Sequence, residues 1–445
     1  MNVNNLIHLY LSMRYFIFRK ILLVILLDLT FISISFSQHK NILISDQYDP
    51  EEVTICINPK NPDQITAGAN LDNYYFSNDT GKTWRGGQLK SPYGVWGDPC
   101  IIADTNGNFY YFHLSNPING SWVDRTVCQK SVDGGTFWSP GTFSGLNGKK
   151  VQDKHWAIVD PKTNNIYVTW TQFDKYNSVS DADKSNILFT ASFNGAKTWS
   201  EPKRINQYSG GCEDNSYTVE GAVPAVGPNG EIYVAWGCND TIYFDRSLDS
   251  GKTWLEKDII VSDMPGGWDY KIPGLQRCNG MPVTVCDLSN GPNNGTIYIN
   301  WSDQRNGEKN TDIWLSKSKD GGITWTRPKR VNNDSTKRQQ FLTWMAIDQA
   351  NGNLYIVFYD RRNYSSNSTD VYLAQSTDGG ENFPNFKISE RPFTPVSSTF
   401  MGDYNNISAC NNIVRPIWTS MDQHSTLSVW TALINIKTLD KTKHK

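Results

Sequence analysis

The eight residues Ser77-Asn-Asp-Thr-Gly-Lys-Thr-Trp84 decide the fold, because the chain returns to this pattern five more times. The later copies span 131–138, 192–199, 247–254, 318–325 and 376–383. Their final aromatic residues lie 54 to 71 residues apart, a spacing that indicates one supersecondary unit per copy. The Asp carboxylate can accept backbone N–H bonds within a tight turn, and the Gly can adopt positive φ. The chain is therefore a repeat protein.

One repeat, followed from end to end, contains four short strands. Residues 155–160 and 166–170 are strand-like and are joined by a turn, and a third apolar stretch at 187–191 leads into a copy of the motif. A fourth strand follows at 199–205. Four antiparallel strands in about fifty residues are typical of a β-propeller blade. The sequence thus predicts an all-β protein whose motif copies are turns between third and fourth strands.

The number of innermost strands predicts seven blades, with six as the alternative. Candidate strands begin near Glu52, Gly97, Lys154, Ala222, Gly280, Phe341 and Phe400. The last unit has only three strands and no motif copy, so we expect residues 41–45 to supply its outer strand. Pairing the N-terminal with the C-terminal strand in this way would close the ring and remove an open sheet edge.

The two ends of the chain differ in composition from the repeats. A basic segment at 14–20 precedes an apolar run at 21–36, which is typical of a secretory signal peptide. We predict a signal peptide at 1–37, a single propeller domain at 38–437 and a charged tail at 438–445. The expected product is secreted or periplasmic, with no membrane insertion after cleavage.

Composition narrows the classes of partner. Lys and Arg number 42 and Asp and Glu 44, which argues against nucleic acid as a partner. The eight cysteines fit an oxidising compartment, and Cys212 with Cys278 is the first pair we would predict, although 105 connectivities are open. Because no C-x-x-C pair occurs, we expect no structural metal site. We also expect no cofactor, and a monomer.

The six motif copies resemble the Asp-box (BNR) repeats of the sialidase superfamily, over residues 40 to 437. The resemblance implies a propeller and an exported carbohydrate-active protein, here a sialidase-like glycoside hydrolase acting on complex glycans. Asp-boxes also occur in xyloglucanases, lyases, sortilin-type receptors and proteins without known activity. A non-catalytic propeller that binds a glycan or a protein, and a uronate polysaccharide lyase, therefore remain open as alternatives.

Topology predicts which face carries the site. In a four-stranded meander the Asp-box turns share one face with the short turns between first and second strands. The opposite face carries the long, variable connections, including 172–186, 206–220, 262–279 and 360–370. Because binding residues concentrate in such loops, we expect the site on that face, over the central channel.

A sialidase-like mechanism needs arginines for a substrate carboxylate, a Tyr activated by a Glu, and an acid. Tyr404 with Glu220 is the predicted nucleophile pair, and Asp98 or Asp403 is the predicted acid. The predicted substrate-binding residues are His155, Trp156, Arg277, Asp303, Arg305, Trp344, Asp360, Arg361 and Arg362. A uronate lyase would instead use His155 or Tyr404 as the base, with Arg277 on the carboxylate.

Structural roles are open for the same residues. Asp303 with Arg305, and Asp360 with Arg362, occupy equivalent places in consecutive repeats and would also suit ion pairs or turn anchors. Asp98 would also suit a capped bend before Pro99. Tyr404 and His155 would also suit packing.

Overall fold

The computed structural model describes residues 39–436 and residue 439. The strands of this part of the chain form seven sheets, each with four strands. This arrangement is a seven-bladed β-propeller, so the prediction of seven blades is confirmed and the six-bladed alternative is wrong. The predicted signal peptide lies outside the described residues, as does the predicted tail apart from Leu439.

The strands, numbered in chain order, fall into blades of consecutive neighbours. Blade 1 contains β2 (Thr54–Ile57), β3 (Ile65–Ala69), β4 (Asn73–Ser77) and β5 (Arg85–Gln88). Blade 2 contains β6 (Cys100–Ala103), β7 (Phe109–Leu114), β8 (Thr126–Ser131) and β9 (Thr142–Ser144). Blade 3 contains β10 (Val151–Val159), β11 (Ile166–Phe173), β12 (Ser185–Ser192) and β13 (Lys203–Arg204). Blade 4 contains β14 (Glu220–Val226), β15 (Ile232–Cys238), β16 (Thr241–Ser247) and β17 (Ile259–Asp263).

The later blades repeat the pattern, and the last one uses the N-terminal strand. Blade 5 contains β18 (Val283–Cys286), β19 (Ile297–Asp303), β20 (Asp312–Ser318) and β21 (Lys329–Arg330). Blade 6 contains β22 (Gln340–Asp348), β23 (Asn353–Asp360), β24 (Asp370–Ser376) and β25 (Asn385–Lys387). Blade 7 contains β26 (Asn406–Cys410), β27 (Ile413–Met421), β28 (Leu427–Leu433) and β1 (Lys40–Ser45).

Closure of the ring confirms the prediction for residues 41–45. Strand β1 pairs antiparallel with β28, with Lys40 opposite Leu433 and Ile42 opposite Thr431. The Asn41 side chain also donates to the Ile388 carbonyl at 2.8 Å, which joins the added strand to blade 6. The outer strand of the last blade is thus held by backbone pairing to the far end of the chain.

Large apolar side chains of the second strands form the core between blades. Strands β11, β15 and β19 are buried along their whole length, since each is covered by a neighbouring blade on both sides. Trp170, Trp236 and Trp301 occupy successive second strands and are completely buried. Burial of such large side chains on two sides stabilises the stack of blades.

The Asp-boxes are turns between third and fourth strands, as predicted. In the copy after β16, the Ser247 hydroxyl donates to Asp249 at 2.8 Å and accepts the Gly251 N–H at 2.8 Å. The other Asp249 bonds come from the N–H and hydroxyl of Thr253, at 2.8 and 2.7 Å. These bonds lower the pKa of Asp249 to about 2, so the turn is closed by an ionised carboxylate.

The box glycines also join one blade to the next, which predicts an effect on stability. Gly251 has a φ of 86°, and a Cβ there would lie 2.1 Å from Phe189 Cε1 in blade 3. Gly251→Ala should lower the free energy of unfolding by roughly 2–4 kcal/mol, through left-handed backbone strain and overpacking. Gly148 has a φ of 62° and open space around it, so Gly148→Ala should lower the free energy of unfolding by only about 1 kcal/mol. Equal losses in urea denaturation would show that Phe189 does not constrain the turn.

All eight cysteines are free thiols in the described chain, so the predicted Cys212–Cys278 pair is not formed. Cys212 lies in a connection that bridges to Ser178 of blade 3. Cys278 is packed in a core cluster with Tyr270 and Phe341. The two long connections therefore turn their thiols toward different neighbours. Between residues 39 and 436, no helix has the length and apolar character needed to cross a membrane.

Candidate functional site

The innermost strands begin with the same local distortion in most blades. A residue with φ in the left-handed region stands at the start of six of them: Glu52 (50°), Asp98 (51°), Lys154 (47°), Gly221 (83°), Leu342 (49°) and Gly402 (84°). The ladders of β10, β14 and β22 shift register at this point, as in a β-bulge. A bulge re-aims a side chain, and a non-glycine residue there is strained, which is typical of functional positions.

In blades 1, 2, 3 and 7 this distortion brings charged side chains together. Lys154 Nζ lies 3.6 Å from Glu52 Oε1, 3.5 Å from Asp98 Oδ1 and 3.2 Å from Asp403 Oδ1. All four side chains are almost completely buried. Burial alone would lower the pKa of Lys154, but the three carboxylates raise it well above its usual value. Lys154 is thus a buried ammonium at the centre of several carboxyls.

Arg277 adds a second cation, which is more accessible. Its Nη2 lies 2.5 Å from Asp403 Oδ2 and 3.5 Å from Glu52 Oε1, and its Nη1 lies 3.9 Å from Asp214 Oδ2. The Arg277 side chain is 38% exposed, whereas those of Glu52 and Asp403 are 3% and 2% exposed. A guanidinium held in this way can still bind an anionic or hydroxyl group of a ligand. We call Glu52, Asp98, Lys154, Arg277 and Asp403 the axial cluster.

The carboxyls of this region differ in protonation. Burial raises the pKa of Asp98, but the Lys154 charge and hydrogen bonds from the carboxyls of Glu52 and Asp153 hold it below its usual value. Burial and the Asp98 charge raise the pKa of Asp153 well above its usual value. Asp403 is also buried, yet Arg277 and Lys154 hold its pKa well below normal. Protonated and ionised carboxyls therefore lie side by side.

Glu220 is the most enclosed acid near the axial cluster. Burial raises the pKa of Glu220 well above its usual value, and the charges of Asp214 and Asp153 raise it further. Neither carboxyl oxygen has a hydrogen-bond partner among the described residues. Glu220 is therefore expected to be a neutral acid at pH 7, with free capacity to donate a hydrogen bond.

Glu51 provides a test of these electrostatics. Burial raises its pKa to about 8. The protonated Glu51 carboxyl therefore stabilises the folded state fully below the pKa of an unfolded Glu, about 4.3. This stabilisation is lost as the pH rises toward the folded pKa. Between pH 5 and 8 the wild type should lose roughly 1–3 kcal/mol of unfolding free energy relative to Glu51→Gln. Glu256→Gln, at an exposed position, is the control in urea denaturation at both pH values. Parallel pH profiles for wild type and Glu51→Gln would contradict this interpretation.

An aromatic floor separates the axial cluster from the channel below it. The rings of Trp156 and Trp344 have centroids 4.5 Å apart, and Tyr404 packs against Trp156 at 5.2 Å. Lys154 Nζ lies 5.3 Å from the centre of the Tyr404 ring. Below this floor, side chains of all seven innermost strands line an apolar cavity of about 290 Å³. The charged axial cluster is therefore separated by aromatic rings from an apolar channel.

The structure brings together seven of the predicted site residues. Around the axial cluster lie Asp98, Trp156, Glu220, Arg277, Trp344, Asp403 and Tyr404. Among the described residues, neither the Tyr404 hydroxyl nor the Glu220 carboxyl has a hydrogen-bond partner. The predicted hydrogen bond between Tyr404 and Glu220 is therefore not formed. The carboxylates that raise the pKa of Tyr404, beyond the effect of burial, are Asp98, Glu52, Asp403 and Glu51. Asp98 and Asp403 have lowered pKa values, which suits a base better than the predicted acid.

The other predicted residues do not join the axial cluster. Arg305 Nε lies 2.9 Å from Asp303 Oδ1, and Arg362 Nε lies 2.7 Å from Asp360 Oδ2, so each arginine anchors its own turn. Arg361 is completely buried and donates to the Pro273 carbonyl at 2.8 Å. These arginines therefore do not form a cluster with Arg277.

His155 follows Lys154 in β10, and the charges of Asp98 and Lys154 act on its ring. It is buried, and its ring lies 6.3 Å from that of Phe112 in blade 2. Burial lowers the pKa of His155 to about 4, so the neutral ring is favoured at pH 7. The ring thus packs against Phe112 and also lies within electrostatic range of the axial cluster.

Sequence reasoning missed several members of the site. Glu52, Asp153, Lys154 and Asp214 were not among the predicted residues, although the first three stand at the start of innermost strands. Glu52 and Lys154 occupy the same place in their repeats as Asp98 and Asp403, so repeat position could have identified them too. Asp214 lies in an irregular connection and had no such signal. The described residues contain no group of three or more His, Cys, Asp or Glu side chains arranged to hold a metal ion.

Known proteins resemble this chain in sequence and in fold. A sialidase from Bacteroides fragilis strain YCH46 is 24% identical over 272 residues, which are 56% of this chain and 46% of that protein. The chain thus spans about half the length of this curated relative. A polysaccharide lyase, a PL25 ulvanlyase solved with -[GlcA(1-4)Rha3S]- bound, superposes with a TM-score of 0.53 at 12% identity, covering 88% of this chain and 95% of that one. A variant of the NanB sialidase from Streptococcus pneumoniae gives a TM-score of 0.49 at 11% identity, covering 83% of both chains.

A family model places the chain more directly. The model, described as a BNR repeat-like domain, matches residues 164–415, which is more than half of the chain. This segment contains the last four Asp-boxes and the four innermost strands β14, β18, β22 and β26. The chain belongs to the BNR repeat-like domain family, with the sialidase-like propeller that its Asp-boxes predicted.

Proposed function

We propose that this protein is an exported glycoside hydrolase of sialidase-like type, acting on complex glycans at the axial cluster. Its family and its sialidase relative support a carbohydrate ligand. The predicted signal peptide supports export. The site would lie over the channel, on the face opposite the Asp-boxes.

The observation that carries this proposal is the presence of ionised and protonated carboxyls beside an accessible guanidinium. Asp98 shares a hydrogen bond with the Asp153 carboxyl, and the two pKa values are displaced in opposite directions. Glycoside hydrolysis needs one protonated and one ionised carboxyl, whereas a surface that only binds a ligand needs neither of them. Strained backbone at Asp98 and Lys154 is also typical of a catalytic site.

We propose a reaction in two steps. Arg277 binds an anionic or hydroxyl group of the sugar, and the Tyr404 oxygen attacks the anomeric carbon while its proton passes to Asp98. The bond to the leaving oxygen breaks as Glu220 protonates that oxygen. Water then attacks the tyrosyl-linked sugar and gives its proton to the Glu220 carboxylate, and Asp98 returns the first proton to Tyr404.

A product screen tests the proposal. The purified protein is incubated with sialosides, with uronate-containing polysaccharides and with neutral polysaccharides. We expect new reducing ends without unsaturated sugars from at least one class. Unsaturated uronate products would indicate a lyase instead. Absence of any product would eliminate the enzymatic interpretation and leave a binding propeller.

A further inference from the structure

Three aromatic side chains form a continuous surface beside the axial cluster. Trp96 and Trp122 have ring centroids 6.4 Å apart, and Trp122 and Tyr176 have centroids 5.5 Å apart, both with edge-to-face geometry. Trp96 is 37% exposed and Trp122 is 42% exposed, although large aromatic residues are usually well buried. We call Trp96, Trp122 and Tyr176 the aromatic strip.

The loops that carry the strip are held in place by hydrogen bonds. The Trp96 N–H donates to the Leu114 carbonyl at 2.9 Å. Next to Trp122, the Val123 N–H donates to the Ser115 carbonyl at 3.0 Å, and the Val123 carbonyl accepts from Gln152 at 2.8 Å. A ligand would therefore meet rings that are already in position, which reduces the entropy lost on binding.

Both ends of the strip lie close to residues of the axial cluster. Trp96 precedes Asp98 by two residues. At the other end, the Tyr176 hydroxyl donates to Asp214 Oδ2, and Asp214 lies 3.9 Å from Arg277 Nη1. The strip thus runs from the connection between blades 1 and 2, across blade 2, to the loop of blade 3, and it ends at charged groups on both sides.

Size and polarity indicate what would occupy this surface. Two exposed indoles and one half-buried phenol are too few for the hydrophobic centre of a stable protein interface. Flat rings with hydrogen-bonding tips are suited to the apolar faces of sugar rings, which also present hydroxyls at their edges. The centroid distances of 6.4 and 5.5 Å between successive rings make the strip long enough for more than one sugar.

We propose that the aromatic strip binds the sugars next to the one at the axial cluster, so that the ligand is an extended oligosaccharide and not a single terminal sugar. This inference rests on the proposed function, which places the reacting sugar at the axial cluster. The binding of a chain along the strip is measurable without any turnover.

Affinity gel electrophoresis tests this proposal with three soluble polymers as probes: polysialic acid, hyaluronan and a neutral β-glucan. At least one polymer should retard the wild type, and Trp122→Ala should weaken its binding about tenfold or more. The matched control is Phe137→Ala, which removes a 75%-exposed aromatic ring from an Asp-box on the opposite face and should leave the retardation unchanged.

The outcomes separate this inference from the proposed function. Retardation that depends on Trp122 without any turnover would support the strip and reject the hydrolase. Equal binding of the retarding polymer by wild type and Trp122→Ala would overturn the strip, whether or not the protein is an enzyme. Failure of all three polymers to retard the wild type would overturn it as well.

Discussion

Tyr404→Phe is expected to lower kcat/KM on the substrate found in the product screen by about 10³-fold or more, because it removes the proposed nucleophile. The ring, which packs against Trp156 and Trp344, stays in place. The Tyr404 hydroxyl has no hydrogen-bond partner among the described residues, so its loss should change the free energy of unfolding by less than about 1 kcal/mol. Initial rates and urea denaturation measure the two effects separately.

Tyr298→Phe is the matched control for this variant. Tyr298 is also a buried tyrosine, but it lies in the second strand of blade 5 among apolar residues such as Leu315 and Leu354. Its loss of a hydroxyl should leave activity close to that of wild type. If Tyr404→Phe remained as active as Tyr298→Phe, the nucleophile would have to be another group, and the proposed two-step reaction would fall.

Lys154→Met is expected to have the largest effect on stability. It removes the ammonium that lies within 3.6 Å of Glu52, Asp98 and Asp403 and leaves these buried carboxyls with less compensating charge. At pH 8 the free energy of unfolding should fall by about 3–5 kcal/mol, as for other buried pairs that lose one partner. Chemical denaturation over a range of pH measures the loss.

The sign of the pH dependence follows from the direction of the pKa changes. Lys154 lowers the pKa of Glu52, Asp98 and Asp403, so its removal raises all three in the folded state. A carboxyl with a raised folded pKa stabilises below its unfolded pKa, and that contribution is lost as the pH rises. The deficit of Lys154→Met should therefore be small near pH 4 and grow toward pH 8.

Lys317→Met is the control for the removal of a lysine with a buried stem. Lys317 Nζ pairs with the exposed Glu381 at 2.5 Å, and loss of such a pair should cost much less and should vary little above pH 5. A loss in Lys154→Met that is independent of pH between 4 and 8 would contradict the idea that Lys154 holds Asp98 and Asp403 ionised.

The candidate site could be predicted only in part, and particular residues show why. Asp98 and Asp403 stand at the starts of innermost strands, so repeat position alone directed attention to them. Arg305 and Arg362 have the same local appearance as site residues, yet each binds the Asp two positions earlier in its own turn. The residue types and their spacing in the sequence do not show whether an arginine will bind a ligand or an Asp in its own turn.

The sequence by itself determined the all-β class, the seven blades and the closure by residues 41–45, because each Asp-box is a local turn and each blade repeats the same strand pattern. Only the tertiary structure decided which charges meet at the axis. Lys154 and Asp403 are 249 residues apart in the chain, and closing the ring places their Nζ and Oδ1 atoms 3.2 Å apart. Turn chemistry acts over a few residues and can be read locally, whereas electrostatic partners at the axis come from every part of the ring.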